Sequence, residues 1–598
     1  MQHSAAAPSV QPVNRLPVIL VAAVIQGWAL YGLHRAIVQH GWPATEPRWL
    51  LALYAAVVFV PVTVELLAEH ARSRALWGLL GALVAGWFGF GWHHGAAVAD
   101  QVTDRFASSG ECFPLAFELL VLWLLILPFL QLRLASGRWS ADYRALFIHA
   151  WRNKITLAEA ALFTGLFWLL LFLWQMLFHM LGIDFFRELF EEPLFVYPVT
   201  SIAFGCALHL IGSIDRLVQA VLEQILNVLK WLALVAGVLL ALFTLALLPR
   251  LPGLVFTGQK AIGAAWLLWL VAVMVLLLNA AYRDGGVERP YPRWIALGLR
   301  LAVPLTVIVS LTAIYALAVR TQHYGLTVER VWALIVAGAA LAYSGGYSVA
   351  ALGRSAWLAG IARVNVVVAL ALIVVIGAAL TPVLSPYRLA ANSQYALALS
   401  GSSATDSGGP WKLTPFQYLR FDAGRYGRER LKQLAQLENA PNAAGIRELA
   451  QRALAQQNAW DSEPARTDLE PLVKAMPVYP AGRALDAQLA TTLVAELQKP
   501  ENSLLRNAPR RSFAGLYVDL RGDGVDEFVL LSDGAGGGLL LEPHQGQWQL
   551  AGHIRGPPAA GSWAGVRADL DKGNIAARPT PWKELWVGAR KFVVDGSQ

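Results

Sequence analysis

The chain has 598 residues, of which 56% are hydrophobic and only 15% charged, at a mean hydropathy of +0.48. Soluble domains carry about 25% charged residues, so this composition excludes an ordinary cytosolic enzyme, a disordered chain and a nucleic-acid binder that relies on charge, and it points to a membrane. The formal charge of +8 divides into +6 before Ser385, from 24 basic and 18 acidic residues, and +2 from there on, from 24 and 22.

Eleven apolar runs are long enough to cross a hydrocarbon core about 30 Å thick. They lie near 16–34, 49–67, 75–92, 113–132, 157–181, 195–214, 226–248, 261–282, 295–319, 331–350 and 364–384. The first lacks a small-x-small cleavage site and reads as a retained span. With the N-terminus inside, the loops on that side hold 14 Lys and Arg against 8 on the other. This bias predicts a cytoplasmic N-terminus, and an odd number of spans then puts the C-terminal region in the periplasm. Ala141–Thr156 mixes aromatic, aliphatic and basic residues at helical spacing. It reads either as a helix on the cytoplasmic membrane surface or as a polar extension of the next span. Cys112 precedes one apolar run and Cys206 lies inside another, so no disulfide is supported.

After Leu384 the composition changes. Ser402–Pro410 is a flexible linker by composition, Trp411–Asn458 has helical periodicity broken near Asn439–Ala444, and Leu485–Leu497 reads as another helix. From Phe513 the runs LYVDL, EFVLLS, GLLLEP and QWQLAGHI, separated by turn residues, predict strands, and the tail KELWVGARKFVV adds at least one more. The expected fold is an α-helical polytopic membrane bundle of about eleven transmembrane helices over 1–384. A juxtamembrane segment and linker (385–410) then leads to a C-terminal α+β extramembrane domain, helical over 411–510 and β-rich over 511–598.

Several short stretches stand out in order: Tyr324-Gly-Leu-Thr-Val-Glu-Arg330, Ser385-Pro-Tyr-Arg388, Asn392-Ser-Gln394, Leu397-Ala-Leu-Ser-Gly401 and Tyr418-Leu-Arg-Phe-Asp-Ala-Gly-Arg-Tyr-Gly427. This order resembles a family of bacterial multispan inner-membrane proteins catalogued only as a domain of unknown function. The resemblance covers the last third of the membrane block and the start of the outer domain. It implies a location and an architecture, and it supplies no catalytic residue. Physically, Gly325 suits a turn and Thr327 suits a helix cap. Arg420, Asp422, Arg425 and Arg428 flank Phe421 and Tyr426. They read either as a surface that docks onto headgroups or onto the membrane block, or as a solvated helix start with an internal ion pair.

Ionisable groups inside apolar runs are candidates for function, because the bilayer centre penalises charge by about 2.5–3.5 kcal/mol. Here they are Glu65, Glu118, Glu159, His179, His209, Lys230 and Arg300. Glu118 with Arg300 reads either as part of a proton or ion path or as a buried pair that holds helices together. His93 and His94 are adjacent, and neighbours on a helix diverge by about 100°, so a shared metal is not expected. No HExxH, paired CxxC, Walker or GxSxG motif occurs, and Gly534–Gly538 reads as a turn between strands, so no cofactor is expected. Asp519-Leu-Arg-Gly-Asp-Gly-Val-Asp-Glu527 looks like an Asp-rich calcium loop, with Asp519, Asp523 and Glu527 as ligands. Arg521 stands where oxygen is needed, so a plain Asp/Gly hairpin is the expectation.

These residues describe a non-enzymatic integral inner-membrane protein, an envelope sensor or binding scaffold with a periplasmic domain. Its partners are the bilayer and an envelope protein or lipid, not nucleic acid. The rivals are a transporter or flippase with a polar intramembrane path, and a membrane-embedded transferase using an outside carboxylate.

Overall fold

Hydropathy alone forces most of the architecture seen in a computed structural model of the chain. It describes residues 15–99, 112–213, 215–256, 263–286, 290–353, 357–400, 413–438, 442–456, 470, 473–474, 476–480, 482–498, 513–532, 537–555, 568–575, 585–587 and 590–592. The chain divides into two units, Met1–Ala455 and Gln456–Gln598.

The first unit is helical: α1 Leu16–Val38, α2 Pro47–Leu66, α3 Arg74–Val98, α4 Cys112–Ser136, α5 Tyr143–Met180, α6 Phe185–Glu191, α7 Pro193–Ser213, α8 Asp215–Leu247, α9 Leu251–Phe256, α10 Ala264–Tyr282, α11 Arg293–Ala302, α12 Leu305–Tyr324, α13 Val328–Leu352 and α14 Ile361–Ala379. Four more follow: α15 Pro386–Leu399, α16 Pro415–Phe421, α17 Gly424–Ala435 and α18 Ala443–Ala455. Among the described residues, eleven helical stretches are long and apolar enough to cross a membrane, and each overlaps one of the expected runs.

Two details differ from the simplest reading of the runs. Most of Ala141–Thr156 belongs to α5, a continuous helix of 38 residues, so of its two readings the helical extension is the one observed. The ninth run is broken into α11 and α12 at Val303-Pro304. Pro304 has no N–H to give to a carbonyl one turn back, and its ring crowds that turn.

Close packing relies on small residues. α2 lies so near α3 that a Cβ on Gly91 or Gly95 would overlap the backbone carbonyls of Leu51 and Pro47. This small-xxx-small spacing lets apolar helices gain dispersion contact where no hydrophobic drive separates helix from lipid. Two main cores result. One joins α2, α3, α4 and the end of α14 through Leu51, Trp87, Leu119, Leu122 and Ile376. The other joins α8, α10, α12 and α13 through Leu240, Leu267, Val271, Val309 and Tyr347.

Composition assigned the helices after residue 411 to an outer domain. Instead, α16, α17 and α18 belong to the first unit. Phe416, Leu419, Leu431, Leu434 and Ile446 are buried against Ala390, Ala391 and Ala398 of α15, which gives their apolar faces a partner within that unit. The linker Ser402–Pro410 lies outside the described residues.

The second unit holds β1 Val478–Tyr479, α19 Ala487–Gln498, β2 Phe513–Val518, β3 Glu527–Ser532, β4 Gly537–His544, β5 Gln547–Arg555, β6 Leu585–Val587 and β7 Arg590–Phe592. The five-stranded sheet runs in the order β1-β2-β3-β4-β5, parallel between β1 and β2 and antiparallel thereafter. Leu489, Leu493 and Leu497 of α19 cover one face through Phe528, Leu530 and Leu541. Leu570 packs on the other with Leu516 and Val529. β6 and β7 form a separate antiparallel pair.

Candidate functional site

The turn between α12 and α13 is held by residues far away in the chain. Gly325 has φ 72°, and Thr327 caps α13 by accepting from the Arg330 amide at 3.3 Å. The Gln394 side chain donates to the carbonyls of Tyr324 and Leu326 at 2.9 and 3.0 Å, and Ser393 accepts from the Leu326 amide at 2.8 Å. The Arg330 guanidinium donates to the Gly325 carbonyl at 2.6 Å. Tyr418 of α16 accepts from the Val328 amide at 2.9 Å. Burial, with Glu329 nearby, pushes the Tyr418 phenol well above its ordinary range, so it stays neutral and keeps its proton. Each of these bonds satisfies a backbone group that a turn leaves open.

Three of the five sequence stretches therefore meet at one hub. The Tyr418–Gly427 stretch also docks on α3: Gly424 adopts φ 57°, and a Cβ there would overlap the Ala97 carbonyl oxygen. Arg425 donates to the Tyr426 hydroxyl at 2.9 Å and lies over its ring at 4.7 Å. Arg420 lies over the Phe421 ring at 5.4 Å. Asp422 ends α16 as its C-cap and donates its amide to the Tyr418 carbonyl. The close approach at Gly424 seats the start of α17 on α3.

Next to the hub, His93 and His94 of α3, Glu118 of α4, Ser385 and Tyr387 line a cavity of about 10 Å³, room for one water. Nε2 of both histidines and the Ser385 hydroxyl are buried there without a hydrogen-bond partner. His94 meets the Tyr387 ring edge-on at 5.5 Å, and Arg388 and Arg425 bring positive charge to His93. Among the described residues no group of three or more His, Cys, Asp or Glu is placed to hold a metal ion.

Arg300 is elsewhere. Its guanidinium donates to the Ala351 carbonyl at 2.8 Å and to the Gly353 carbonyl, capping the C-terminus of α13. Gly353 precedes α14, whereas Leu380 beside Glu118 follows it, so a helix of about 27 Å separates the two. The structure does not bring Glu118 and Arg300 together.

The remaining candidates are scattered. The Glu65 carboxylate is buried, with no hydrogen-bond partner, beside Gly205 of α7. One oxygen of Glu159 is also buried and unpaired. His179 pairs with Asp184 at 2.6 Å on an exposed helix end, and His209 is half-buried on α7. Lys230 places its amine 5.2 Å from the Tyr291 ring centroid, and its carbonyl accepts from the Tyr291 hydroxyl at 2.5 Å.

In the second unit, Asp519–Glu527 joins β2 to β3. The Asp519 carboxylate accepts from the amides of Gly522, Asp523 and Gly524 at 2.6, 3.3 and 2.9 Å. Glu527 accepts from the Leu520 amide at 2.7 Å, and Arg521 pairs with Glu542 and reaches Glu527 at 3.7 Å. These oxygens are already engaged by donors that calcium would have to displace. Full-length protein in detergent should take up no calcium at micromolar concentration by calorimetry, whether or not Asp523 is replaced by Ala. An isotherm lost in Asp523→Ala would overturn the assignment. The same amide bonds hold the Asp519 pKa below its ordinary 3.8. A depressed carboxyl stabilises the fold above its unfolded pKa and stops doing so as pH falls through the folded one. Amide-exchange protection of Gly522 and Gly524 should therefore survive at neutral pH and fall on strong acidification, and Asp519→Asn should flatten that dependence.

A larger space escaped the sequence. Between α4, α5, α10, α13 and α14 lies a cavity of about 350 Å³. Asn365 donates to Tyr143 at 3.2 Å and to Asn279 at 2.5 Å; Tyr347 donates to Asn365 at 2.5 Å and accepts from Asn279 at 2.7 Å. No motif marks it, because its wall is assembled from five helices spread along the chain; isolated Asn residues in apolar runs are the one available signal. Compared with family models, curated proteins and solved structures, the chain has no match.

Proposed function

We propose that this chain is a non-enzymatic binding scaffold of a bacterial inner membrane. Its eleven apolar stretches cross the bilayer, the N-terminus is cytoplasmic and the C-terminal sheet unit is periplasmic. The observation that carries the scaffold reading is the hub. Residues after the last apolar helix supply the hydrogen bonds that close the α12–α13 turn, and α17 seats on α3. Such an interlock supports a fixed platform at one end of the bundle. The order of the motifs that build it, and their resemblance to a multispan inner-membrane family, supports the location. The loop bias of Lys and Arg supports the orientation.

A reporter fused at Gln598 should show periplasmic activity, and a cytoplasmic signal there would sink the topology. The transporter or flippase is the second reading, favoured by the cavity between the two cores. Its path would run by Asn365 and Lys154 rather than from Glu118, beside the residue that follows α14, to Arg300, which caps the C-terminus of α13.

A further inference from the structure

We infer that the cavity between α4, α5, α10, α13 and α14 is a binding site for a single-chain amphiphile with an anionic headgroup. The inference rests on the membrane reading above and adds the chemistry of the ligand.

Size comes first. About 350 Å³ falls inside the roughly 300–1,000 Å³ of small-molecule sites, and the larger part of the wall is apolar. Leu124, Leu125 and Phe129 of α4 form an apolar side against which the first part of a hydrocarbon chain can lie, the rest leaving by the open flank. Access comes next. Leu276 and Lys154 on the rim are exposed, so the cavity reaches the flank of the bundle instead of being sealed. A ligand already dissolved in lipid enters there without crossing water.

Charge decides the headgroup. Among the described residues, Lys154 is the only ionisable side chain on the wall apart from tyrosines, and no acidic residue lines it. It forms no ion pair with a described residue; its amine sits 5.3 Å from the Trp151 ring centroid. The nearby Asp284 is neutralised by Arg144 at 2.9 Å. A lysine at the level where α5 leaves its apolar stretch snorkels toward the headgroups and attracts anions. On the polar side, the side-chain amide hydrogens of Asn279 and Asn365 are spent within the network and on the Val275 carbonyl. The Tyr143 hydroxyl donates to the Arg283 carbonyl at 2.9 Å. That side therefore offers a second anion few donors, and the single cation at the rim fixes which end of the ligand lies outward.

The test uses full-length protein in a neutral detergent and measures retained ligand by native mass spectrometry. Palmitoyl lysophosphatidate should bind about fivefold better than palmitoyl lysophosphatidylcholine, the preference one Lys near a surface confers. Lys154→Gln should erase that preference, and Lys154→Arg should keep it. Ala369→Phe, which fills the cavity, should remove binding of both while leaving the melting temperature unchanged; Ala150→Leu repeats the test should Ala369→Phe fail to fold. Equal binding of the two amphiphiles by the unaltered protein, or binding indifferent to both filling variants, would overturn the inference. Displacement by millimolar inorganic phosphate would also overturn it, by showing a small-anion site that does not use the chain. Recovery of the protein from cells without detergent would fail the membrane reading instead, so the two failures are distinguishable.

Discussion

Gly424→Ala should destabilise the helical unit by about 2–5 kcal/mol and release α16–α18 from α3. Two costs combine. A side chain at φ 57° is in the left-handed region, which costs about 1–2 kcal/mol. The new Cβ also overlaps the Ala97 carbonyl, and forced overpacking costs about 1–3 kcal/mol. Gly137→Ala separates them, since Gly137 has φ 71° but nothing within 4 Å of its Cβ position. Thermal unfolding in detergent and limited proteolysis around residue 412 should show a modest loss for Gly137→Ala. Gly424→Ala should show a larger loss with early cleavage. Equal losses would mean that the seat on α3 adds nothing beyond backbone strain.

The second large effect is at Arg300. Arg300→Met removes two charge-assisted bonds and leaves the Ala351 and Gly353 carbonyls without them, so a loss of about 2–4 kcal/mol is expected. Glu118→Gln keeps the shape of a side chain that has no ion-pair partner among the described residues, and should cost well under half as much. Because α14 separates the two, the double variant should equal the sum of the singles within about 0.5 kcal/mol. A double variant more stable than Arg300→Met alone would reveal a buried pair, since a lone buried charge is the costly species.

The apolar stretches were legible because length and hydropathy suffice to mark them, and Pro304 shows what hydropathy misses: the run stays apolar while the helix breaks. The strands of the second unit were legible from alternation and turn residues, and β2 to β5 lie on the four expected runs. The hub was legible only as a list. The stretches themselves could be picked out, but that Tyr418 serves the Val328 amide, 90 residues earlier, depends on tertiary packing that no local pattern encodes. Arg300 misled for the same reason. An arginine in an apolar run suggests a carboxylate partner, yet carbonyls at a helix end meet its needs as well. The pairing of composition with domain failed at α16–α18, whose polar faces resemble those of a soluble domain while their apolar faces are buried on α15.

The Gln394 clamp also sets an order of events during synthesis. Tyr324 emerges from the ribosome 70 residues before the side chain that satisfies its carbonyl. At about 5–20 residues per second, that interval is roughly 4–14 s. Until then the turn between α12 and α13 relies on Arg330 and on water at the interface. The hub is thus a closing step of biogenesis: a chain truncated before Asn392 carries every apolar stretch and lacks the latch that joins them at this end.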